Sequence, residues 1–319
     1  MENNKRPLVV LTGPTAVGKT KLSIALAKAI NGEILSADSM QVYKHMDIGS
    51  AKIRPEEMQG VPHHLINILE PWEEFNVVVF QKRCLECMEQ IYDRGYIPIL
   101  VGGTGFYIQA VLRGIDFTEN EENTEYREKL ERLAAEQGPE ILHEQLKKVD
   151  PVSAENIHAN NVKRTIRALE YYELTGEPIS AHNEREKERV SPYNFSYFVL
   201  TDDREKLYAR IEARIDEMLS EGLVDEVKHL KEMGCHREMV SMQGLGYKEI
   251  LDYLDGNNSL EEAVYTLKRD TRHFAKRQLT WFRREKEVTW IDKEKFNDNE
   301  EKILQYMLNE LREKEIVSE

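Results

Sequence analysis

The sequence predicts an α/β fold, a parallel sheet flanked by helices, with an all-helical domain inserted into it. The first sign is the alternation of short apolar runs with helix-length segments, LVVLT, GEILSA and IPILV, which is the pattern of βαβ units. A second is that these runs end in polar or glycine-rich turns, GPTAVGKT, DSMQ and GGTG. A third is that after Gly114 the apolar runs stop, and none resumes until YFVLT at residues 197–201.

Taken in order, LVVLT reads as the first buried strand and KLSIALAKAI as the helix behind it. GEILSA and IPILV are the next strands, with FQKRCLECMEQIY helical by pattern between them. The segment DFTENEENTEYREKLERLAAEQG is acidic and helical by spacing, without an apolar run that could enter a sheet. In the helical stretch that follows, Pro151 suits a helix start and Gly176 a helix end. YFVLT then rejoins the sheet, followed by the helix DDREKLYARIEARIDEMLSEG, an amphipathic pattern from Leu260 to Lys286, and a last strand, VTWID. The terminal EEKILQYMLNELREKE reads as a solvated helix. The expected division is therefore a core domain at 1–115 and 197–319, with the inserted helical domain at 116–196.

Bulk properties narrow the class. The chain has 319 residues, a formal net charge of -14 and 32% charged residues, which describes an acidic protein and argues against wholesale nucleic-acid binding. No run approaches membrane-spanning length, and MENNKRPLVV enters a strand without signal-peptide architecture, so a cytoplasmic protein without membrane contact is expected. The cysteines, Cys84, Cys87 and Cys235, are too few and too odd in number for a disulfide framework. Cys84 and Cys87 form a C-x-x-C, but inside a helical pattern and without a second ligand pair, so two thiols packed one turn apart is the expected arrangement.

GPTAVGKT has the form G-x-x-x-x-G-K-[ST] between strand and helix. Gly13 and Gly18 let the chain curl so that successive N–H groups point inward, and the following helix presents its positive end to an anion. The predicted phosphate cradle is Gly13, Pro14, Thr15, Ala16, Val17, Gly18, Lys19 and Thr20, with Lys19 supplying charge and the Thr20 hydroxyl a ligand for Mg2+.

Asp38 ends the second strand, where a carboxylate facing the loop acts as a general base or accepts a hydrogen bond from a substrate N–H or O–H. The alternative is that it caps the next turn. Ser39, Met40 and Gln41 suit a purine by offering polar contacts around an apolar surface. The third strand ends in glycines and Thr104 instead of a metal-binding acid. These features leave open a small-molecule kinase.

Basic residues concentrate twice. LKRDTRHFAKRQLTWFRREK carries Lys268, Arg269, Arg272, Lys276, Arg277, Arg283, Arg284 and Lys286, interleaved with Phe274, Trp281 and Phe282. That composition suits polynucleotide contacts, although aromatics at helical spacing also build cores. NNVKRTIRALE places Lys163, Arg164 and Arg167 on about one turn. Arg210 and Arg214 follow the returning strand and reach toward the phosphate loop as clamps, or else Arg214 pairs with Glu217 on the surface. A non-catalytic RNA-binding protein is a further reading of these charges.

The ordered set GPTAVGKT, ILSADSMQVYKHMDIGSAK, VPHHLINI, IPILVGGTGFYIQAVL, NNVKRTIRALEYYELTG, MQGLGYKEI and AKRQLTWFRRE resembles the tRNA dimethylallyltransferase family over nearly the whole chain. The resemblance implies a P-loop kinase-like core and transfer of a dimethylallyl group from dimethylallyl diphosphate to N6 of the adenosine immediately 3′ of the anticodon, in tRNAs reading codons that begin with U. It further implies that Gly13 to Thr20 hold the diphosphate with Mg2+, that Asp38 is the general base, and that Thr104 lies at the reaction centre. Arg214 is the expected diphosphate-binding arginine. The tRNA contacts implied are Asp38, Ser39, Met40, Gln41, Thr104, Lys163, Arg164, Thr165, Ile166, Arg167, Gln243, Gly244, Gly246, Tyr247, Lys248, Lys276 and Arg277. The inserted region would clamp the anticodon stem, and a monomer is expected. FNVVVFQKRC departs from the more polar segment expected in the family, outside the proposed site.

Overall fold

The structure, a computed structural model, describes residues 5–117 and 124–317. The chain runs through β1 (Pro7–Thr12), α1 (Lys19–Ile30), β2 (Gly32–Ala37), β3 (His63–His64), α2 (Val77–Asp93), β4 (Ile97–Gly102) and α3 (Gly105–Arg113). Helices α4 (Thr124–Gln137), α5 (Glu140–Val149), α6 (Pro151–Asn156), α7 (Val162–Thr175) and α8 (Ile179–Lys187) come next. β5 (Asn194–Thr201), α9 (Arg204–Glu221), α10 (Leu223–Glu232), α11 (Tyr247–Leu254), α12 (Leu260–Phe282), β6 (Val288–Asp292) and α13 (Glu300–Glu313) complete it. Residues 118–123 of the acidic segment predicted to be helical lie outside the described residues.

The strands form one parallel sheet in the order β3-β2-β4-β1-β5-β6. Its centre is apolar on both faces: Leu8, Val9, Val10 and Leu11 of β1 are all fully buried, as expected of a parallel sheet covered by helices. After β1 the chain fills one side of the sheet and then returns to the other side at β5. The loop after β1 therefore sits where the strand order reverses, the usual place for a ligand in an open α/β sheet.

Two sequence expectations need correction. β5 starts at Asn194 rather than Tyr197, because Asn194, Phe195 and Ser196 continue the register opposite Pro7, Leu8 and Val9. Backbone pairing does not require apolar side chains. The last helix, α13, is not simply solvated: Ile303, Met307 and Leu311 are buried in the core. Their spacing of four places them on one face, while Gln305, Asn309 and Arg312 are exposed.

The described residues divide into a sheet-containing unit, up to Leu112 and from Pro192 onward, and a helical unit, Arg113–Ser191. The helical unit has its own core of Leu130, Leu142, Leu146, Ile166 and Leu169. Within it, Pro151 opens α6 while the Asp150 carboxylate accepts from Ser153 N at 2.9 Å. Gly176 ends α7 in the left-handed region at φ 70°.

Candidate active site

The loop after β1 is shaped by glycine. Gly13 has φ 148°, and a Cβ there would lie 2.6 Å from the Leu200 carbonyl oxygen. Gly18, at φ 97°, precedes α1 without a side-chain cap, so the first amides of that helix have no side-chain acceptor from the N-cap position. An anion in front of them would meet the positive end of the helix. Val17 is buried, Thr15 and Ala16 are half-buried, and Thr20 is exposed in the first turn of α1. The Lys19 ammonium folds back to donate to Gly13 O at 2.9 Å and Pro14 O at 2.8 Å. Burial pulls its pKa down to about 8; the Asp38 carboxylate opposes that shift and the Arg214 charge reinforces it.

Asp38 and Thr104 are brought to the same edge by the pairing of β2 with β4, in which Ala37 faces Gly102. A Cβ on Gly102 would lie 2.2 Å from Ala37 O, so the two strand ends meet at backbone distance. Thr104 N donates to Ala37 O at 3.3 Å, and Thr104 O accepts from Tyr107 N at the start of α3. Asp38 does cap its turn: Oδ1 accepts from Met40 N at 2.8 Å and Gln41 N at 3.4 Å. Both of those bonds use one oxygen, and Oδ2 has no hydrogen-bond partner among the described residues. The turn thus orients the carboxylate and leaves half of it for other work. Its negative charge is felt at Lys19 and at Arg214.

Ser39 and Met40 are half-buried beside it. Gln41 corrects an expectation, because its side chain is engaged within the protein: Oε1 accepts from Ser36 Oγ at 3.1 Å and Nε2 donates to Ser50 O at 3.4 Å. A base edge would have to displace those bonds. From α9, Arg214 donates to Ala51 O at 3.5 Å, and burial pushes its pKa down against the pull of Asp38. Arg210 is committed instead to Asp202 at 2.5 Å and to Ala16 O at 3.0 Å.

Two residues at this site escaped the sequence reading. Lys293, just after β6, places its ammonium 3.4 Å from Val17 O and adds charge beside the loop. Gln278 of α12 is buried and bonded to the loop, accepting from Thr15 N at 2.8 Å. Its signal was a glutamine on the inward positions of α12, between Ala275 and Phe282.

α12 sorts its basic residues. Lys268 pairs with Asp216 at 2.5 Å and Arg272 pairs with Glu212 at 2.5 Å, both on α9, while Arg269 pairs with Asp270 at 2.8 Å. Lys276 and Arg277 are exposed and have no ion pair among the described residues. With His273, Thr280, Trp281 and Arg284 they line an open groove of about 520 Å³. Phe282 is core, whereas Trp281 is half-buried and meets Phe106 edge-on at 6.1 Å. Gln243 is exposed and Lys248 half-buried, but Gly244, Gly246 and Tyr247 are buried and so do not offer side chains or open surface to tRNA. Tyr247 instead donates its hydroxyl to Glu226 at 2.8 Å.

In the helical unit, Lys163, Arg164 and Arg167 are exposed on α7. Thr165 and Ile166 are corrected: at 0% and 3% exposure they face the core of that unit and cannot reach a polynucleotide. Helical periodicity separates the two sets. Cys84 is buried and Cys87 half-buried, with both thiols pushed up by burial, and among the described residues no cluster of three or more His, Cys, Asp or Glu is placed to hold a metal.

The chain matches known proteins over nearly its whole length. The IPP transferase family model matches residues 41–285, and the Isopentenyl transferase model matches residues 7–67. The chain is 64% identical to the tRNA dimethylallyltransferase of Lachnoclostridium phytofermentans, covering 98% of this chain and 99% of that one. It is 53% identical to the tRNA dimethylallyltransferase of Carboxydothermus hydrogenoformans, over 95% and 96% of the two chains. The crystal structure of the full-length tRNA isopentenylpyrophosphate transferase from Bacillus halodurans superposes with a TM-score of 0.73 at 48% identity, covering 98% of each chain. With a glycine-shaped loop ahead of α1, an oriented carboxylate at the adjoining strand end and matches spanning nearly its whole length, this chain belongs to the tRNA dimethylallyltransferase family.

Proposed function

We infer that this protein transfers a dimethylallyl group from dimethylallyl diphosphate to N6 of the adenosine immediately 3′ of the anticodon, in tRNAs reading codons that begin with U. The observation that carries the reading is the convergence of the loop at 13–20 with Asp38 and Thr104 at neighbouring strand ends. One side receives a diphosphate and the other a nucleophile.

An adenine amine is a weak nucleophile, since its lone pair is delocalised into the ring. Catalysis then rests on aligning it with the allylic carbon and stabilising the departing diphosphate. As the N6–C bond forms and the C–O bond to diphosphate breaks, Asp38 accepts the N6 proton. Lys19, the loop amides and Arg214 meet the charge that grows on the diphosphate, with Thr104 beside the reacting atoms. The base must leave its stack to reach this point. Lys276, Arg277, Lys163, Arg164, Arg167, Gln243 and Lys248 are the exposed or half-buried groups assigned to tRNA, chiefly to its phosphates.

Mg2+ fits this donor set. Thr20 is exposed in the first turn of α1, and among the described residues no cluster of three or more His, Cys, Asp or Glu is placed to hold a metal; Mg2+ characteristically takes few protein ligands and fills its shell with phosphate and water oxygens. Thr20 would hold the ion, which would neutralise diphosphate charge.

The decisive experiment incubates the protein with dimethylallyl diphosphate, Mg2+ and total tRNA and follows the nucleosides by mass spectrometry. A dimethylallyl mass gain on adenosine is expected. ATP-dependent phosphorylation of a small acceptor without prenylation would make the protein a kinase, and tRNA binding without either reaction would make it a binding module.

A further inference from the structure

We propose that Gln278 is a positioning residue that holds the phosphate loop in register with the turn carrying Thr104. The proposal rests on the prenyl-transfer reading, because it concerns the alignment of the two substrates of that reaction.

Gln278 is 6% exposed and lies on the inward face of α12. Its two amide ends reach two different strand-end loops. Oε1 accepts from Thr15 N at 2.8 Å, and Nε2 donates to Gly103 O at 3.0 Å. Only one orientation of the amide makes both bonds, since the reverse would set donor against donor and acceptor against acceptor. The side chain is therefore a strut of fixed direction between the loop after β1 and the turn after β4.

The glycines of GGTG are the counterpart of this strut. A Cβ on Gly103 would lie 2.2 Å from Gln278 Nε2, and one on Gly105 would lie 2.2 Å from Trp281 Cδ1. Glycine on each side of Thr104 lets Gln278 and Trp281, about one turn apart on α12, approach that turn closely. The loop side has a matching economy: Pro14 has no N–H, Thr15 N is taken by Gln278, and Val17 N bonds Pro14 O at 3.4 Å. Anion binding then falls to Ala16 and to the amides of Gly18, Lys19 and Thr20.

Prenyl transfer requires the leaving group on one loop and the nucleophile at the other to be in line, and a displacement on the order of 1 Å costs about a hundredfold in rate. Gln278 sets that relation without touching either reacting atom.

The test compares wild type, Gln278→Ala and Gln278→Glu for prenylation at saturating tRNA, for diphosphate affinity by calorimetry, and for thermal melting. Alanine removes both bonds. Glutamate keeps the size and the acceptor for Thr15 N but replaces the donor to Gly103 O with a repelling oxygen. Both variants are expected to lower kcat per folded enzyme by roughly ten- to a hundredfold, with a smaller change in tRNA affinity. If Gln278→Ala does not fold, Gln278→Glu decides alone. A folded variant with kcat within about twofold of wild type, or a loss that only tracks the unfolded fraction, overturns the proposal. A wild type that fails to prenylate overturns the functional reading; a wild type that prenylates beside unimpaired variants overturns this inference alone.

Discussion

Asp38 divides its work between two oxygens, Oδ1 holding the 38–41 turn and Oδ2 remaining available. Asp38→Asn keeps an acceptor for Met40 N but not a base, so prenylation should fall by about a hundredfold or more while tRNA affinity and melting temperature stay near wild type. Unchanged turnover would remove Asp38 from the chemistry. Lys19 makes a pH prediction. In the free enzyme it gives up its proton at about 8, and a bound diphosphate favours the charged form, so binding above that pH takes up a proton. Affinity for an unreactive dimethylallyl thiodiphosphate should therefore fall as pH rises through about 8, and Lys19→Met should weaken binding and abolish that dependence. Calorimetry across the range would show it; a slope persisting in Lys19→Met would assign it to another group.

Helix α12 presents two kinds of basic residue, and they should behave differently. Replacing both Lys276 and Arg277 with Ala should flatten the salt dependence of tRNA binding, because a position that no longer neutralises a phosphate no longer releases its counterion. Replacing Lys268, already paired with Asp216, should leave the slope near wild type. Filter binding across a salt series separates the two outcomes, and equal slopes in all three proteins would return this helix to a structural role. α13 carries a stability prediction. Met307 is fully buried there, so Met307→Ala should cost about 2–5 kcal/mol in urea denaturation. A destabilisation well below that range would mean that the helix end frays away from the core.

The molecule contains two compact units, each with its own apolar core. A segment with an independent core folds in isolation when its buried surface offsets chain entropy. Residues 113–191 expressed alone should give helical circular dichroism and a cooperative thermal transition. A non-cooperative melt would show that this core depends on the rest of the chain. The expectation bears on the proposed tRNA contacts, because the exposed Lys163, Arg164 and Arg167 lie on α7 of this unit.

Most of the sheet and the cradle were readable along the chain, because their causes are local. Alternation of apolar runs marks the strands, Gly13 and Gly18 permit the loop's backbone angles, and Asp38 lies one residue beyond a strand end. The ordered motifs further identified the family. Contacts between distant segments left no comparable mark: Thr15 and Gln278 are separated by 263 positions, and nothing near either residue announces the other. Burial within a motif was equally hidden, so Thr165, Ile166 and Tyr247 read as RNA contacts until packing turned them inward. Local backbone geometry and periodicity thus specified the strands and a loop shaped for an anion, while the ordered motifs, through the family they resemble, supplied the chemistry. Which face of each helix meets water, and which side chain spans the two loops, followed from the packing of segments far apart in sequence.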